Sequence, residues 1–111
     1  MDNPPEVDAR TAYEQMQRGE VCMLDVREPE EWELGHIEGA ESIPMSQLGV
    51  RWREIDATKR WVCVCLSGSR SDYASALLRQ AGIAIANMEG GMLSWQANSL
   101  PISPPGIVAT H

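Results

Sequence analysis

The residues of this chain best suited to chemistry form one short stretch, Cys65-Leu66-Ser67-Gly68-Ser69-Arg70-Ser71. The nucleophilic form of cysteine is its thiolate, and a free thiol with a pKa of about 8.5 is only about 3% ionised at neutral pH. Helix N-termini and cationic neighbours lower that pKa to roughly 3.5–7.5. Both influences are at hand here, in the helix expected after the stretch and in Arg70. Ser69-x-x-Asp72 fits a capping box at the helix entry, so the loop is expected to turn backbone N–H groups and a helix N-terminus toward Cys65. A ring of such groups is an anion nest, able to hold a thiolate, a persulfide or an oxyanion. A strand-end cysteine or a helix-start arginine is common by itself. Their pairing with Gly68, between an apolar run and an amphipathic one, points to an activated thiol.

The flanking elements must hold that stretch in place. Upstream, Trp61-Val62-Cys63-Val64 has the continuous apolar, β-branched character of a strand buried on both faces. Downstream, Tyr73, Ala74, Leu77, Leu78 and Ala81 follow helical spacing as an apolar stripe, and Gly82 supplies a left-handed stop. Val21-Cys22-Met23-Leu24, closing on Asp25-Val26, reads as a central strand, with Cys22 as a small core residue. Before it, Val7 suits a one- or two-residue edge strand. Asp8 suits an N-cap for a helix burying Ala9, Ala12, Tyr13 and Met16 and ending at Gly19.

After the central strand, residues 28–34 predict a short helix with Pro29 in its first turn and Gly35 at its stop. Residues 36–39 predict a turn, and residues 40–45 a third strand in which Pro44 marks the end or an edge. Ser46 can cap a helix through Leu48, Val50, Trp52 and Ile55, weakened by Gly49. Residues 83–86 predict a fifth strand. Gly90-Gly91 makes a turn, and residues 92–96 a last helix carrying Trp95. Strand and helix alternate throughout, which predicts an α/β domain with a mainly parallel sheet covered on both faces. Ligands bind such sheets beyond the carboxyl ends of the strands. Asp25 and Cys65 both fall at such ends and are expected to be neighbours.

The chain as a whole sets limits. Its 111 residues predict a single domain, 1–111, with a core over about 6–100 and an irregular, proline-rich tail over 101–111. A 43% hydrophobic share with 23% charged residues is ordinary for a soluble globular protein, and no apolar run approaches the roughly 20 residues needed to span a membrane. The start lacks the basic and apolar regions of a signal peptide, so the expected location is cytoplasmic. A formal charge of −7 argues against nucleic acid or an anionic membrane as partner, because both call for a basic face. Asp25, Glu28, Glu30, Glu31, Glu33, Glu38 and Glu41 are accompanied only by Arg27, and read as a solvated acidic face or a docking surface for a basic protein. Cys22, Cys63 and Cys65 are too few for a disulfide framework. Cys63-x-Cys65, with only His36 and His111 elsewhere, makes a poor zinc set, so no metal is expected.

At this point the chain resembles the rhodanese-like, single-domain sulfurtransferase family. The resemblance rests on residues 24–28 (Leu-Asp-Val-Arg-Glu), Glu31-Trp32, residues 35–40 (Gly-His-Ile-Glu-Gly-Ala) and Ile43-Pro44. It continues through Cys65-x-x-Gly68-x-Arg70-Ser71 to Glu89-Gly90-Gly91 and Trp95, in the family's order and spacing. It implies a five-stranded parallel sheet and ping-pong chemistry at Cys65. A donor such as thiosulfate would leave its outer sulfur on Cys65, and cyanide, a thiol or a protein would take it away. Backbone N–H groups from Leu66 through Ser67, Gly68 and Ser69 to Arg70 would stabilise the persulfide, Arg70 would orient the donor or close the loop, and Ser71 would complete the site. No cofactor is implied. Asp25 and Arg27 are the family's other recurrent polar residues and are expected to tie loops together rather than touch substrate. His36 is expected in a turn, and Trp32 and Trp95 in the core.

Other readings stay open. Cysteine phosphatases and arsenate reductases of the related fold carry five residues between Cys and Arg, whereas this loop carries four, a ring better sized for sulfur than for phosphate. A regulatory protein-binding module usually lacks the cysteine. A persulfide carrier fed by a protein keeps the chemistry but makes poor use of free thiosulfate. Leu66 and the acidic chain offer thiosulfate little attraction, which predicts modest thiosulfate:cyanide activity. Asn98-Ser99 stands where the family commonly has a glycine before Leu-Pro, leaving the end of the last helix open.

Overall fold

In the computed structural model, which describes residues 5–104, each apolar run becomes a strand of one sheet. The elements in chain order are β1 (Glu6–Val7), α1 (Ala9–Gln17), β2 (Cys22–Asp25), α2 (Pro29–Leu34), β3 (Glu41–Ser42), α3 (Met45–Arg51), a 3₁₀ turn (Trp52–Glu54), β4 (Arg60–Val64), α4 (Ser69–Gln80), β5 (Ala84–Met88) and α5 (Gly91–Ala97). The five strands pair parallel in the order β1-β5-β4-β2-β3. From β2 the chain moves outward to β3, then crosses back to β4 on the other side. The junction of β2 with β4 is therefore the topological switch point, where parallel sheets open a crevice at their carboxyl ends. Asp25 pairs with Val64 across that junction, which places Asp25 beside the residue that precedes Cys65.

Alternation along β4 divides the core. Trp61, Cys63 and Cys65 pack with Leu48, Ile55, Ala74 and Leu78 on the face covered by α3 and α4. Val62 and Val64 pack with Ala9, Ala12, Met92 and Trp95 on the face covered by α1 and α5. Helices thus lie on both faces. Tyr13 meets Trp95 edge-on at 5.6 Å, and the Trp95 indole N–H donates to Pro101 O at 2.8 Å. That bond holds the first residues after α5 against the body. Ser103 then pairs antiparallel with His36. The rest of the tail, 105–111, lies outside the described residues, as do residues 1–4.

The caps show why the helices sit where they do. Asp8 accepts the Thr11 N–H at 2.7 Å, as its side chain predicts. In α2, Glu28 and Glu31 form a reciprocal capping box with Pro29 in the first turn. Three helices end in the same double-bonded αL turn: Gly19 N to Met16 O with Glu20 N to Gln15 O, Gly82 N to Arg79 O with Ile83 N to Leu78 O, and Ser99 N to Gln96 O with Leu100 N to Trp95 O. Gly19 and Gly82 suit the left-handed position, whereas Ser99 occupies it at φ 57° with a Cβ. Ser99→Gly is accordingly expected to stabilise the fold by about 0.5–1 kcal/mol, since αL costs an L-residue about 1–2 kcal/mol and glycine loses part of that gain to chain entropy. An unchanged or lower urea midpoint would contradict it.

Several sequence expectations shift in the structure. The third strand shrinks from residues 40–45 to Glu41–Ser42, because Pro44 acts as the N-cap residue of α3. Ser46 is consequently inside α3, and its hydroxyl donates to Glu28 Oε1 at 2.9 Å instead of capping. The helix expected to reach Ile55 tightens to 3₁₀ geometry after Arg51, leaving Val50 exposed. The fifth strand runs two residues further than expected, to Met88. Trp32 is half-buried and stacks on the His36 ring at 3.7 Å rather than entering the core.

The largest difference is the phase of α4. Tyr73 and Leu77, expected in the buried stripe, are 62% and 43% exposed, and Ala81 is exposed as well. The face against the sheet is Ser71, Ala74, Ser75 and Leu78. Two serines can occupy it because Ser75 donates to Asp72 O at 3.0 Å and Ser71 is bonded within the loop. Tyr73 and Leu77 instead line an open groove of about 500 Å³ with Met45, Leu48 and Trp52.

Candidate active site

The loop between β4 and α4 curls around one sulfur atom. Gly68 takes the left-handed conformation, φ 105°, as the N-cap residue of α4, a geometry open to glycine at little cost. The Ser69–Asp72 capping box expected from the sequence does not form, because Ser69 is the first helical residue and Gly68 has no side chain with which to cap. The Cys65 sulfur takes that place. It accepts the Gly68 N–H at 3.1 Å and the Ser71 N–H, three residues on, at 3.3 Å, where a capping oxygen would otherwise accept. The Ser71 hydroxyl also lies 3.3 Å from the sulfur. Of the loop amides from Leu66 to Arg70 expected around the sulfur, Gly68 is the one that reaches it, joined by Ser71 beyond. Leu66 packs toward the α1/α5 core and is half-buried, while Ser67 and Ser69 face solvent.

Two neighbours complete the cradle, and neither was among the sequence candidates. Asn87, on β5 and buried, donates from Nδ2 to Gly68 O at 3.2 Å and accepts from the Ser71 hydroxyl. Ser71 Oγ has one proton and three acceptors in reach, Cys65 Sγ, Gly68 O and Asn87 Oδ1, so it serves one at a time. A polar residue inside the otherwise apolar β5 was the signal that could have flagged Asn87. The second neighbour is the start of α5. Met92 N donates to Cys65 O at 2.8 Å and Leu93 N to Leu66 O at 3.0 Å, so the loop's outward carbonyls dock on a helix N-terminus.

That docking depends on Gly91, at φ +58°. A Cβ there would press into Cys65 O and Leu66 O, closer than real Cβ contacts come. Gly91→Ala is expected to cost about 2–3 kcal/mol through overpacking and backbone strain together, and to loosen the loop. A thermal midpoint equal to that of the unsubstituted chain would refute the contact.

Asp25 and Arg27 are brought together, both 1% exposed. The Arg27 guanidinium grips the Asp25 carboxylate through Nε at 3.0 Å and Nη2 at 2.7 Å, and donates to Gly35 O at 2.8 Å and Glu31 O at 3.3 Å. Asp25 Oδ1 also accepts the Arg27 N–H at 2.9 Å. The pair fastens the end of β2 to the C-terminal turn of α2. His36 lies in the following bend, with Nδ1 2.9 Å from Trp32 O.

Arg70, at the far end of the loop, is held by a residue 39 positions upstream. Its Nη1 and Nη2 donate to Glu31 Oε1 and Oε2, each at 2.8 Å, in a fork-to-fork pair. Those bonds hold the Glu31 carboxyl below the ordinary carboxylate range, against some desolvation. A carboxyl with a lowered folded-state pKa stabilises the fold above its unfolded value of about 4.3. The pair is therefore intact at neutral pH, and its contribution is lost as pH falls through the lowered value. The acidic segment is thus not a uniform solvated face: Asp25 is buried against Arg27, Glu28 caps α2 and Glu31 is paired with Arg70. Burial pushes the Cys63 thiol up, with Cys65 and Asp25 adding to the shift, so Cys63 stays a neutral core residue.

The Rhodanese-like domain family matches residues 8–98 of this chain. The chain belongs to the rhodanese-like family. A sulfurtransferase of Allochromatium vinosum is 34% identical over 102 residues, covering 90% of this chain and 95% of that protein. A putative sulfur carrier protein of Bacillus subtilis, YrkF, is 35% identical over 74 residues, covering 66% of this chain and 40% of its own length. The crystal structure of a rhodanese-related protein from Thermoplasma volcanium superposes with a TM-score of 0.87 at 32% identity, covering 92% of this chain and all of that one. The rhodanese-like fold expected from the sequence motifs is therefore the fold observed, with its five-stranded parallel sheet and the Cys65 loop at the switch point. Among the described residues, no helix is long and apolar enough to cross a membrane.

Proposed function

We propose that this chain moves a sulfane sulfur from a donor such as thiosulfate to a thiophilic acceptor through a persulfide on Cys65. The observation that carries the reading is the cradle itself: two backbone amides and a hydroxyl converge on one sulfur at the start of α4. Donors so placed stabilise negative charge on sulfur, whether thiolate or persulfide. In the first half-reaction the Cys65 thiolate attacks the outer sulfur of thiosulfate. The S–S bond of the donor breaks, sulfite leaves with the electron pair, and a Cys65 persulfide remains. In the second, cyanide, a thiol or a protein attacks the terminal sulfur and the Cys65 thiolate is restored. Charge balances in each step without an external oxidant or reductant. Cys65 is 0% exposed in the resting loop, so either partner reaches the sulfur only as its surroundings move.

In this reading Leu66, Ser67, Gly68, Ser69 and Arg70 form the donor-binding loop, Asn87 holds the Ser71 hydroxyl beside the sulfur and competes with it for the hydroxyl proton, and Asp25 with Arg27 supports the floor without touching substrate. A carrier role, in which a protein rather than free thiosulfate delivers the sulfur, is the second reading, favoured by the similarity to the putative sulfur carrier of Bacillus subtilis. The test is intact mass after incubation with thiosulfate and, separately, with a persulfide donor. A gain of one sulfur atom that peptide mapping assigns to Cys65 supports sulfur transfer, and loading by the persulfide donor alone selects the carrier role. No gain from either donor overturns both readings. Hydrolysis of an aryl phosphate that disappears in Cys65→Ser would instead install the phosphatase alternative.

A further inference from the structure

The Arg70–Glu31 pair has a consequence for donor choice, one that rests on the sulfur-transfer reading above. A sulfonate or thiosulfate oxyanion would be recognised by a guanidinium through two parallel N–H···O bonds, the geometry at which arginine excels. In this chain both terminal nitrogens of Arg70 already make those two bonds to the Glu31 carboxylate. The pair is half-buried, with side chains 37% and 26% exposed, so it is screened less than a pair in open water. Glu31 is also held from behind: Oε1 accepts the Glu28 N–H at 3.0 Å, and Glu28 in turn accepts from Ser46 on α3. The carboxylate is therefore fixed on the Nη1–Nη2 edge of the guanidinium, where it contributes one negative charge. The Asp25–Arg27 pair nearby is internally neutral, so it supplies no spare cation.

We propose that Glu31 is a specificity-determining residue that occupies the anion-binding fork of Arg70 and so turns the loop away from oxyanion donors such as thiosulfate, in favour of persulfide donors that carry no sulfonate. A persulfide donor presents its outer sulfur to Cys65 without needing the fork, and it brings one net negative charge toward Glu31 where thiosulfate brings two. A thiosulfate dianion must either displace two charge-assisted hydrogen bonds or take the remaining N–H donors of the guanidinium beside a fixed carboxylate before the same attack can begin.

Glu31→Gln separates the charge from the architecture. Glutamine at this position of a capping box still accepts the Glu28 N–H, so α2 is retained, and an unchanged circular dichroism spectrum checks it, with the thermal midpoint lowered only by the small contribution of the lost ion pair. The measurement is the rate of sulfur loading on Cys65, followed by intact mass, as a function of thiosulfate and of cysteine hydropersulfide concentration. The expected result is that Glu31→Gln lowers the thiosulfate concentration for half-maximal rate about tenfold, while that for cysteine hydropersulfide changes less than twofold. Adding Arg70→Ala should abolish the thiosulfate gain. Equal thiosulfate dependence in the two chains overturns the proposal. So does the same shift for both donors, or a gain that survives Arg70→Ala. Failure of both donors to load the unsubstituted chain would instead sink the sulfur-transfer reading itself, which keeps the two failures apart.

Discussion

Cys65→Ala is expected to lose sulfur loading completely from every donor, while Cys63→Ala retains most of it. Two residues apart, the thiols point to the same face of the sheet, yet their surroundings differ in kind. Cys63 lies within β4 among Leu24, Ala74 and Leu78, where burial penalises its anion. Cys65 lies one residue past the end of β4, where the chain leaves the ladder and two backbone amides turn to its sulfur, with the Ser71 hydroxyl beside it. At Cys63 burial outweighs the one nearby donor, the Val64 N–H, so a persulfide there would lack the cradle that Cys65 has. Cys63→Ala should therefore change stability by only about 1 kcal/mol, through a small cavity, and leave the concentration dependence of loading as it was. Donor titrations of both variants, each followed by peptide mapping, provide the check. Loading of Cys65→Ala at Cys63 would move the chemistry to the other thiol.

The second large effect belongs to stability. Arg27→Met is expected to cost about 3–5 kcal/mol, because it strands the Asp25 carboxylate in a dry interior. Domains of this size are stable by only about 5–15 kcal/mol, so the variant should lose a large share of its urea midpoint with little change in m-value. Pairing it with Asp25→Leu should restore part of the loss, since removing both charges is far cheaper than removing one. Full restoration is not expected: the guanidinium also satisfies Gly35 O and Glu31 O, and Asp25 accepts the Arg27 N–H. A midpoint for Arg27→Met within about 1 kcal/mol of the unsubstituted chain would mean that water reaches the pair.

Where sequence pattern and fold agree, the information is local. Asp8 and the glycines 19 and 82 act through bonds spanning three to five residues, and their residue types carry the geometry with them. The same is true of Pro29 at the start of α2 and of the apolar runs of β2 and β4. Disagreement begins where distant partners decide. The stripe containing Tyr73 and Leu77 is a sound helical pattern, yet the loop aims Ser71 at Cys65 and so rotates those two out to solvent. Pro44 reads as a strand end and proves to begin a helix. In the site, Cys65, Gly68, Arg70 and Ser71 were legible because they are contiguous. Glu31 as the partner of Arg70, Asn87 as the partner of Ser71, and Gly91 as the floor beneath Cys65 were not, because each reaches the loop from another element.

The sulfur that caps α4 makes the reactive atom a member of the helix as well. Whatever Cys65 carries, whether a bare thiolate, an extra sulfur or an alkyl group, alters the acceptor to which the first amides of α4 are bonded. A thermodynamic cycle then requires that the folded and unfolded chains differ in their affinity for that cargo by the factor by which the cargo shifts the folding equilibrium. The melting temperature of the chain thus becomes a gauge of its cargo. Loaded and unloaded populations should be distinguishable by calorimetry alone, before any acceptor is known.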